Sequence, residues 1–185
     1  FTILGLEKSV AELKARNIFK SVNYKVEEGS EKNLKRIKIN VEERPTGEIS
    51  AGAGIGTDGG RFAISIKENN YLGEGKQLGF DLELDKDSLA GTFSYNNPNY
   101  DFLGNSIFYS LRSEKNDVPT RGYENSIVSG AISTSFEQYK DINLNLGLSA
   151  SYDDLSTLSG ASESLKKQSG EFSEISGNYG ISFDK

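Results

Sequence analysis

The sequence predicts a mainly β protein: a partial transmembrane antiparallel β-barrel of about eight strands, forming a curved open sheet, preceded by a short α+β unit. Three observations predict it. From Glu48 onward every apolar run alternates with period two, so that one side of each strand is greasy and the other polar. The runs are about 8–12 residues long, the length of a tilted membrane strand. Short turns alternate along the chain with longer polar connections, which puts tight turns at one end of the sheet and larger loops at the other.

Composition bounds the function. The chain has 185 residues with no cysteine and no histidine. A disulfide framework, a thiolate site and a Cys nucleophile are thereby excluded, and the commonest general base and metal ligand is missing. A net charge of −6 disfavours binding to a phosphate backbone, so no nucleic-acid partner is expected. The 20 glycines against 3 prolines suit a β-structure with many turns. No apolar run approaches the ~20 residues of a transmembrane helix. The opening "FTILGLEKSVAELK" carries charges too early for a signal peptide, and Met is absent, so the sequence reads as a segment of a longer protein.

The elements follow in order. From Ser9 to Val22 the period is helical, with Val10, Leu13, Ala15, Ile18 and Phe19 on one face, and Ser9 with Glu12 forms a capping box. Alternation then takes over at Val22, Tyr24 and Val26, turns at "EEGSEKN", and resumes at Leu34, Ile37, Ile39 and Val41. One helix on two strands is a thin core, which suggests an α+β unit lacking its own beginning. The first long-sheet strand, "EISAGAGIG", sets Ile49, Ala51, Ala53 and Ile55 against Ser50, Gly52 and Gly54. "RFAISIKEN" and "QLGFDLELD" follow, with Phe62, Ile64 and Ile66, then Leu78, Phe80, Leu82 and Leu84, on the apolar side. Later runs place Leu89, Phe93 and Tyr95; Ile107, Tyr109 and Leu111; and Val128, Ile132 and Phe136. The last two give Ile142, Leu144, Leu146, Leu148, Ala150 and Tyr152, then Ile175, Tyr179, Ile181 and Phe183. "YKD", "GEGK" and "NNPNYDFLG" read as compact turns, "TDGG" as a short outer turn, and "RSEKNDVPTRG" and 153–171 as long outer loops.

Alternation also describes a soluble antiparallel sandwich that serves as a binding module. Against it stand polar faces of Ser, Gly, Asn and Thr with mid-strand Asp81 and Glu83, which suit a wet lumen. Tyrosines at strand ends (Tyr71, Tyr95, Tyr100, Tyr123, Tyr139, Tyr152) sit where a membrane aromatic girdle would. "GAGIG" lacks the helix and lysine of a phosphate loop. "TDGGR" and "YDDLS" lack calcium-loop spacing. "DLELDKD" is explained by a lumen face running into an acidic loop. No catalytic, cofactor-binding or metal site is expected.

"VEERPTGEISAGAGIGTDGG" with "FAISIKENNYLGEGKQLGFDLELD" closely resembles the BamA family of outer-membrane barrel assembly factors, which shares an E-R-x-T-G junction, a Gly-rich first strand, a T-D/E-x-G turn and an E/D-N-x-L-G-x-G turn. "YNNPNYDFLGNS" is similar to that family's N-P-Y turn. "AELKARNIFKSVNYKVEEG" resembles the second half of a POTRA domain, with Asn17 where Gly is commoner. The resemblance implies a partial last POTRA domain over 1–44 in the periplasm, a hinge at Pro45, Thr46 and Gly47, and the N-terminal half of an outer-membrane barrel over 48–185. A complete barrel of that family has about sixteen strands. Its R-G-F loop motif and C-terminal aromatic signal do not occur here.

The same resemblance implies the function: folding and insertion of β-barrel proteins into the outer membrane of a Gram-negative bacterium. The first barrel strand, Glu48, Ile49, Ser50, Ala51, Gly52, Ala53, Gly54, Ile55 and Gly56, would be a lateral gate where a client strand pairs by β-augmentation. Phe62, Ile64, Ile66, Leu78, Phe80, Leu82, Leu84, Leu144, Leu146, Leu148, Tyr179 and Ile181 would face lipid. Implied partners are nascent outer-membrane proteins, outer-membrane lipid, and assembly-complex lipoproteins such as BamD on the POTRA part. A TamA-like factor or a two-partner secretion transporter is the alternative within this superfamily.

The barrel and sandwich expectations separate on extraction. The full-length protein should need detergent to leave the membrane fraction; its recovery as a detergent-free soluble monomer would favour the sandwich.

Overall fold

The computed structural model describes residues 2–31, 33–56, 59–101 and 103–183. It divides into two compact units, 1–46 and 47–185.

The first unit holds α1 (Ile3–Ala15), β1 (Phe19–Glu28) and β2 (Lys35–Glu43). The helix begins earlier than the capping box at Ser9 implies. Thr2 is its N-cap, accepting from the Gly5 N–H at 3.2 Å, so Ser9 and Glu12 are mid-helix. Leu6 and Val10, one turn apart, bury one face against Val22, with Leu13, Phe19 and Tyr24 around them. The helix also stops sooner than its expected end at Val22. Asn17 takes a left-handed conformation (φ 57°), which asparagine tolerates, and turns the chain into β1. Its side chain accepts from Arg44 Nη1 at 2.7 Å, while the Arg44 N–H donates to the Ile18 carbonyl. β1 and β2 pair antiparallel with Val22 opposite Val41 and Tyr24 opposite Ile39. The β1–β2 turn includes Lys32, which lies outside the described residues.

The second unit is one eight-stranded antiparallel meander. Its strands are β3 (Gly47–Gly56), β4 (Gly59–Tyr71), β5 (Lys76–Asp85), β6 (Ser88–Asn97), β7 (Ser106–Val118), β8 (Tyr123–Tyr139), β9 (Ile142–Thr157) and β10 (Gly170–Phe183). Each pairs only with its neighbours in sequence, leaving β3 and β10 as the two edges. The pairing partners Phe62–Leu84, Ile66–Phe80, Phe80–Phe93, Tyr95–Tyr109, Ile132–Leu148 and Leu146–Tyr179 carry one apolar face across the sheet. No second sheet packs on that face among the described residues: Phe80 is 45 % and Leu146 47 % exposed. The sandwich expectation is therefore not met.

Loop lengths depart from expectation. "RSEKNDVPTRG" is mostly strand, because β7 runs to Val118 and β8 starts at Tyr123. The pairing continues through Lys115–Ser126 and Asp117–Glu124 after the apolar side chains have stopped. β8 and β9 are thus 17 and 16 residues long, beyond the span that alternation alone marks. The "TDGG" turn includes Thr57 and Asp58, and "NNPNYDFLG" includes Phe102; these three lie outside the described residues. The β9–β10 connection, 158–169, is the long one at its end of the sheet. It contains the single turn α2 (Glu163–Lys166), capped by Ser162.

This connection is seated on the neighbouring hairpin. The Leu158 N–H donates to the Gly122 carbonyl at 2.8 Å, and Ala161 is buried against Gly122. Gly122 has φ 79°, and a Cβ there would lie 3.0 Å from Ala161 Cα. Gly122→Ala should cost about 1–2 kcal/mol through left-handed strain and the loss of this seat. The check is hydrogen exchange: the Leu158 amide should exchange faster while the β4–β5 pairing keeps its protection.

Candidate functional site

Sheet parity sorts the side chains, since successive residues point to opposite faces. Ile49, Ala51, Ala53 and Ile55 lie on the apolar face, opposite Ile66, Ile64, Phe62 and Gly60 of β4. Phe62, Ile64, Ile66, Leu78, Phe80, Leu82, Leu84, Leu144, Leu146, Leu148, Tyr179 and Ile181 all fall on that same face. Ile64, Leu78, Leu82 and Leu144 are half-buried by their neighbours, and the rest are exposed. At ~3.3 Å per residue, the apolar run Ile142–Tyr152 extends about 33 Å along β9, or about 25 Å in height at the ~40° tilt of outer-membrane barrels. That is the height of such a barrel's apolar band. The ion pair Lys115–Glu124 and the carboxylate of Asp154 mark its upper limit on β7–β9.

The tyrosines sort into two sets. Tyr71, Tyr95 and Tyr139 lie on the apolar face at the end of the sheet that carries Gly47. Tyr100, from the β6–β7 turn, lines a groove on that face with Ile107, Leu146 and Tyr179. Tyr152 lies on the apolar face at the opposite end. Tyr123 does not share it: it is one residue out of phase with Glu124, Ser126 and Val128.

The other face is polar and internally bonded. Arg112 donates from Nη1 to Thr92 Oγ1 (3.0 Å) and from Nη2 to Glu114 Oε2 (2.9 Å). Asn116 Nδ2 bridges Glu114 Oε1 and Asn125 Oδ1, both at 3.0 Å, and Asn125 Nδ2 donates to Asp153 Oδ1 at 3.3 Å. This ladder ties β6 to β9. Nearer β3, Ser65 donates to Asp81 at 2.6 Å, and Arg61 donates to Asp85 at 2.7 Å. Asp81 is thus held by a hydroxyl, and Glu83 is exposed. Alternation carries no sign of this ladder, because its members sit far apart in the chain.

β3 is one of the two edges of the sheet, with β10 the other. All residues of β3 are exposed, Ile49 at 78 % and Ile55 at 95 %, and β4 is its one partner in the sheet. The expected gate residues Glu48–Gly56 therefore share a single edge strand. Gly47, expected in the hinge, is instead the first residue of β3 and pairs with Glu68. Pro45 and Thr46 remain between β2 and β3. Gly52 and Gly54 stand on the polar face opposite Ala63 and Arg61, and a Cβ on either would meet nothing within 4 Å. Neither has positive φ. Sterics therefore does not demand glycine at either position, and what glycine does is withhold packing.

Residues 70–185 match the family model described as the Omp85 superfamily domain. The chain belongs to the Omp85 superfamily. It is 34 % identical over 142 residues to the outer membrane protein assembly factor BamA of Neorickettsia risticii (strain Illinois), covering 72 % of this chain and 19 % of that protein. It also resembles the crystal structure of BamA from Haemophilus ducreyi lacking POTRA domains 1–3, with a TM-score of 0.75 and 19 % identity. That match covers 97 % of this chain and 38 % of that one. The chain thus spans less than half the length of either relative. The solved structure has the same fold, and its match extends beyond the long sheet into the first unit.

Because the space beside Gly52 and Gly54 is open, the double substitution Gly52→Val and Gly54→Val should fold and stabilise the β3–β4 hairpin. New cross-strand pairs and lower chain entropy should together contribute about 1–3 kcal/mol. A higher urea midpoint for loss of the folded form in detergent would register the gain.

Proposed function

We propose that this chain is the gate-bearing half of an outer-membrane assembly factor, which folds and inserts β-barrel proteins into the outer membrane of a Gram-negative bacterium. β3 is the gate strand. The observation that carries the reading is the glycine content of β3: Gly52 and Gly54 withhold side-chain packing on a strand that pairs within this chain with β4 alone, and nothing steric requires glycine there. Cross-strand side-chain pairs contribute roughly 0.2–1 kcal/mol each. A strand stripped of them releases a partner at modest cost, yet still offers main-chain donors and acceptors to another. A client's terminal strand then adds to Glu48–Gly56 by β-augmentation, and further strands follow.

The rest of the molecule serves that edge. The apolar face is wetted by outer-membrane lipid over the height of the hydrocarbon layer, and the polar face lines the lumen. The small residues Ala51 and Ala53 thin the apolar band beside the gate and disturb lipid there. The first unit is the end of a POTRA domain in the periplasm, a reading favoured by its helix and hairpin and by the reach of the match to the Haemophilus ducreyi protein. It is the surface on which a lipoprotein such as BamD would dock, with Pro45 and Thr46 as the flexible joint. The similarity to an outer membrane protein assembly factor favours this role over a TamA-like factor or a two-partner secretion transporter.

Cysteine crosslinking in the full-length protein tests the gate. A Cys at Ser50 or Gly52 should capture a Cys in the last strand of a client during assembly. A Cys at Asn145, on the polar face of β9 with a paired strand on each side, should not. Equal yields at all three positions would overturn the proposal. A disulfide that locks β3 to its partner across the seam should block assembly.

A further inference from the structure

Two of the three turns at the Gly47 end of the sheet carry a feature that the gate does not use; the third, Lys140–Asp141, does not share it. Leu72, in the β4–β5 turn, has φ 58° and is 74 % exposed. The other described non-glycine residues with positive φ are Asn17 and Asp141, types that tolerate it. Leucine gains nothing there: the conformation is strained, and the side chain is left in the open. A residue that breaks a local rule in this way marks a functional position.

The turn is rigid. The Gly73 N–H donates to the Asn70 carbonyl at 2.8 Å, and the Gly75 N–H to Asn70 Oδ1 at 2.7 Å. The Asn70 N–H donates in turn to Glu68 Oε1 at 2.7 Å.

The β6–β7 turn, at the same end, repeats the arrangement. Leu103 is 82 % exposed. It precedes Gly104 (φ 89°), as Leu72 precedes Gly73 (φ 73°). This turn is also fixed from within: the Leu103 N–H donates to Asp101 Oδ1 at 3.0 Å and the Gly104 N–H to Asn99 Oδ1 at 2.8 Å. Burial pushes the Asp101 carboxyl up, but hydrogen bonds from the Leu103 N–H and from Asn105 outweigh it, and its pKa lies below the ordinary value. Leu72 follows Tyr71 directly and Leu103 lies three residues after Tyr100, and both tyrosines belong to the apolar face, so that face reaches the base of each tip. At the opposite end the β5–β6 tip is Lys86–Asp87, and the β7–β8 tip holds Thr120 and Arg121.

We propose that Leu72 and Leu103 are paired membrane anchors, held by their stiff turns in the headgroup–acyl boundary at the Gly47 end of the sheet. The occupant of this surface is lipid, because the apolar face reaches the base of both tips at a tyrosine, the side chain that favours that layer. The anchors fix how deep this end of the sheet sits beside the gate. The inference rests on the lipid-facing reading proposed above.

Spin labels test the two readings separately. Leu72→Cys, Leu103→Cys, Phe80→Cys and Arg121→Cys are each labelled in the full-length protein, in vesicles of phosphatidylethanolamine and phosphatidylglycerol. Collision with apolar oxygen is compared with collision with a water-soluble nickel chelate. Labels at 72 and 103 should show an oxygen-to-nickel ratio between that of Phe80, at mid-face, and that of Arg121, at the opposite tip. A ratio equal to that at Arg121 puts the leucines in water and overturns the anchors. Suppression of both collisions means that protein covers them, and overturns the lipid assignment. A nickel-accessible label at Phe80 overturns the lipid-facing reading itself, and the anchors fall with it.

Discussion

In hydrocarbon, a backbone N–H or C=O without a partner costs several kcal/mol, and no water is present to supply one. That constraint governs the sheet. Its interior strands satisfy each other in a strict neighbour-to-neighbour meander. β3 and β10 pair on one side only within this chain. On β3, Gly52 and Gly54 leave few side-chain pairs, so its pairing rests mainly on the backbone.

The two faces divide the remaining work. Among the described residues the apolar face has no layer over it and holds its shape through cross-strand pairs such as Phe80–Phe93 and Tyr95–Tyr109, the two tyrosine rings lying 6.0 Å apart. Across the polar face, the ladder from Thr92 through Arg112, Glu114 and Asn116 to Asn125 and Asp153 stiffens β6–β9. The ladder thus lies among the later strands, away from the glycine-rich β3.

Much of the fold was legible because period two is a strong signal wherever one face is greasy. The eight strands of the long sheet and the side on which Phe62, Leu78, Leu144 and Ile181 stand follow from it, while the first unit's helix follows from a switch to the helical period. The misreadings have local causes. Beyond Leu111, β7 is polar on both sides, so alternation disappears from Ser113 to Asp117 while the hydrogen-bond ladder continues. Ile3 and Leu4 are exposed, so the first turn of α1 does not share the buried stripe that marks Leu6 and Val10. Gly47, placed in the hinge by the resemblance, pairs with Glu68 at the start of β3. For the candidate site, the resemblance pointed to the first strand. Its place at a sheet edge, and the empty space beside Gly52 and Gly54, are properties of the fold and are written in no residue type.

The seat of Ala161 on Gly122 bears on how this sheet is put together. Most strands are joined to the next by a few residues, so the chain can add one hairpin after another at small entropic expense. β9 to β10 is the exception. Closing the gap over 158–169 is more costly than closing the Lys140–Asp141 turn by on the order of 1.5 kcal/mol in loop entropy. Fastening that connection midway onto the preceding hairpin divides one wide closure into two narrow ones. The β7–β8 tip thereby acts as a guide post that brings the last strand home.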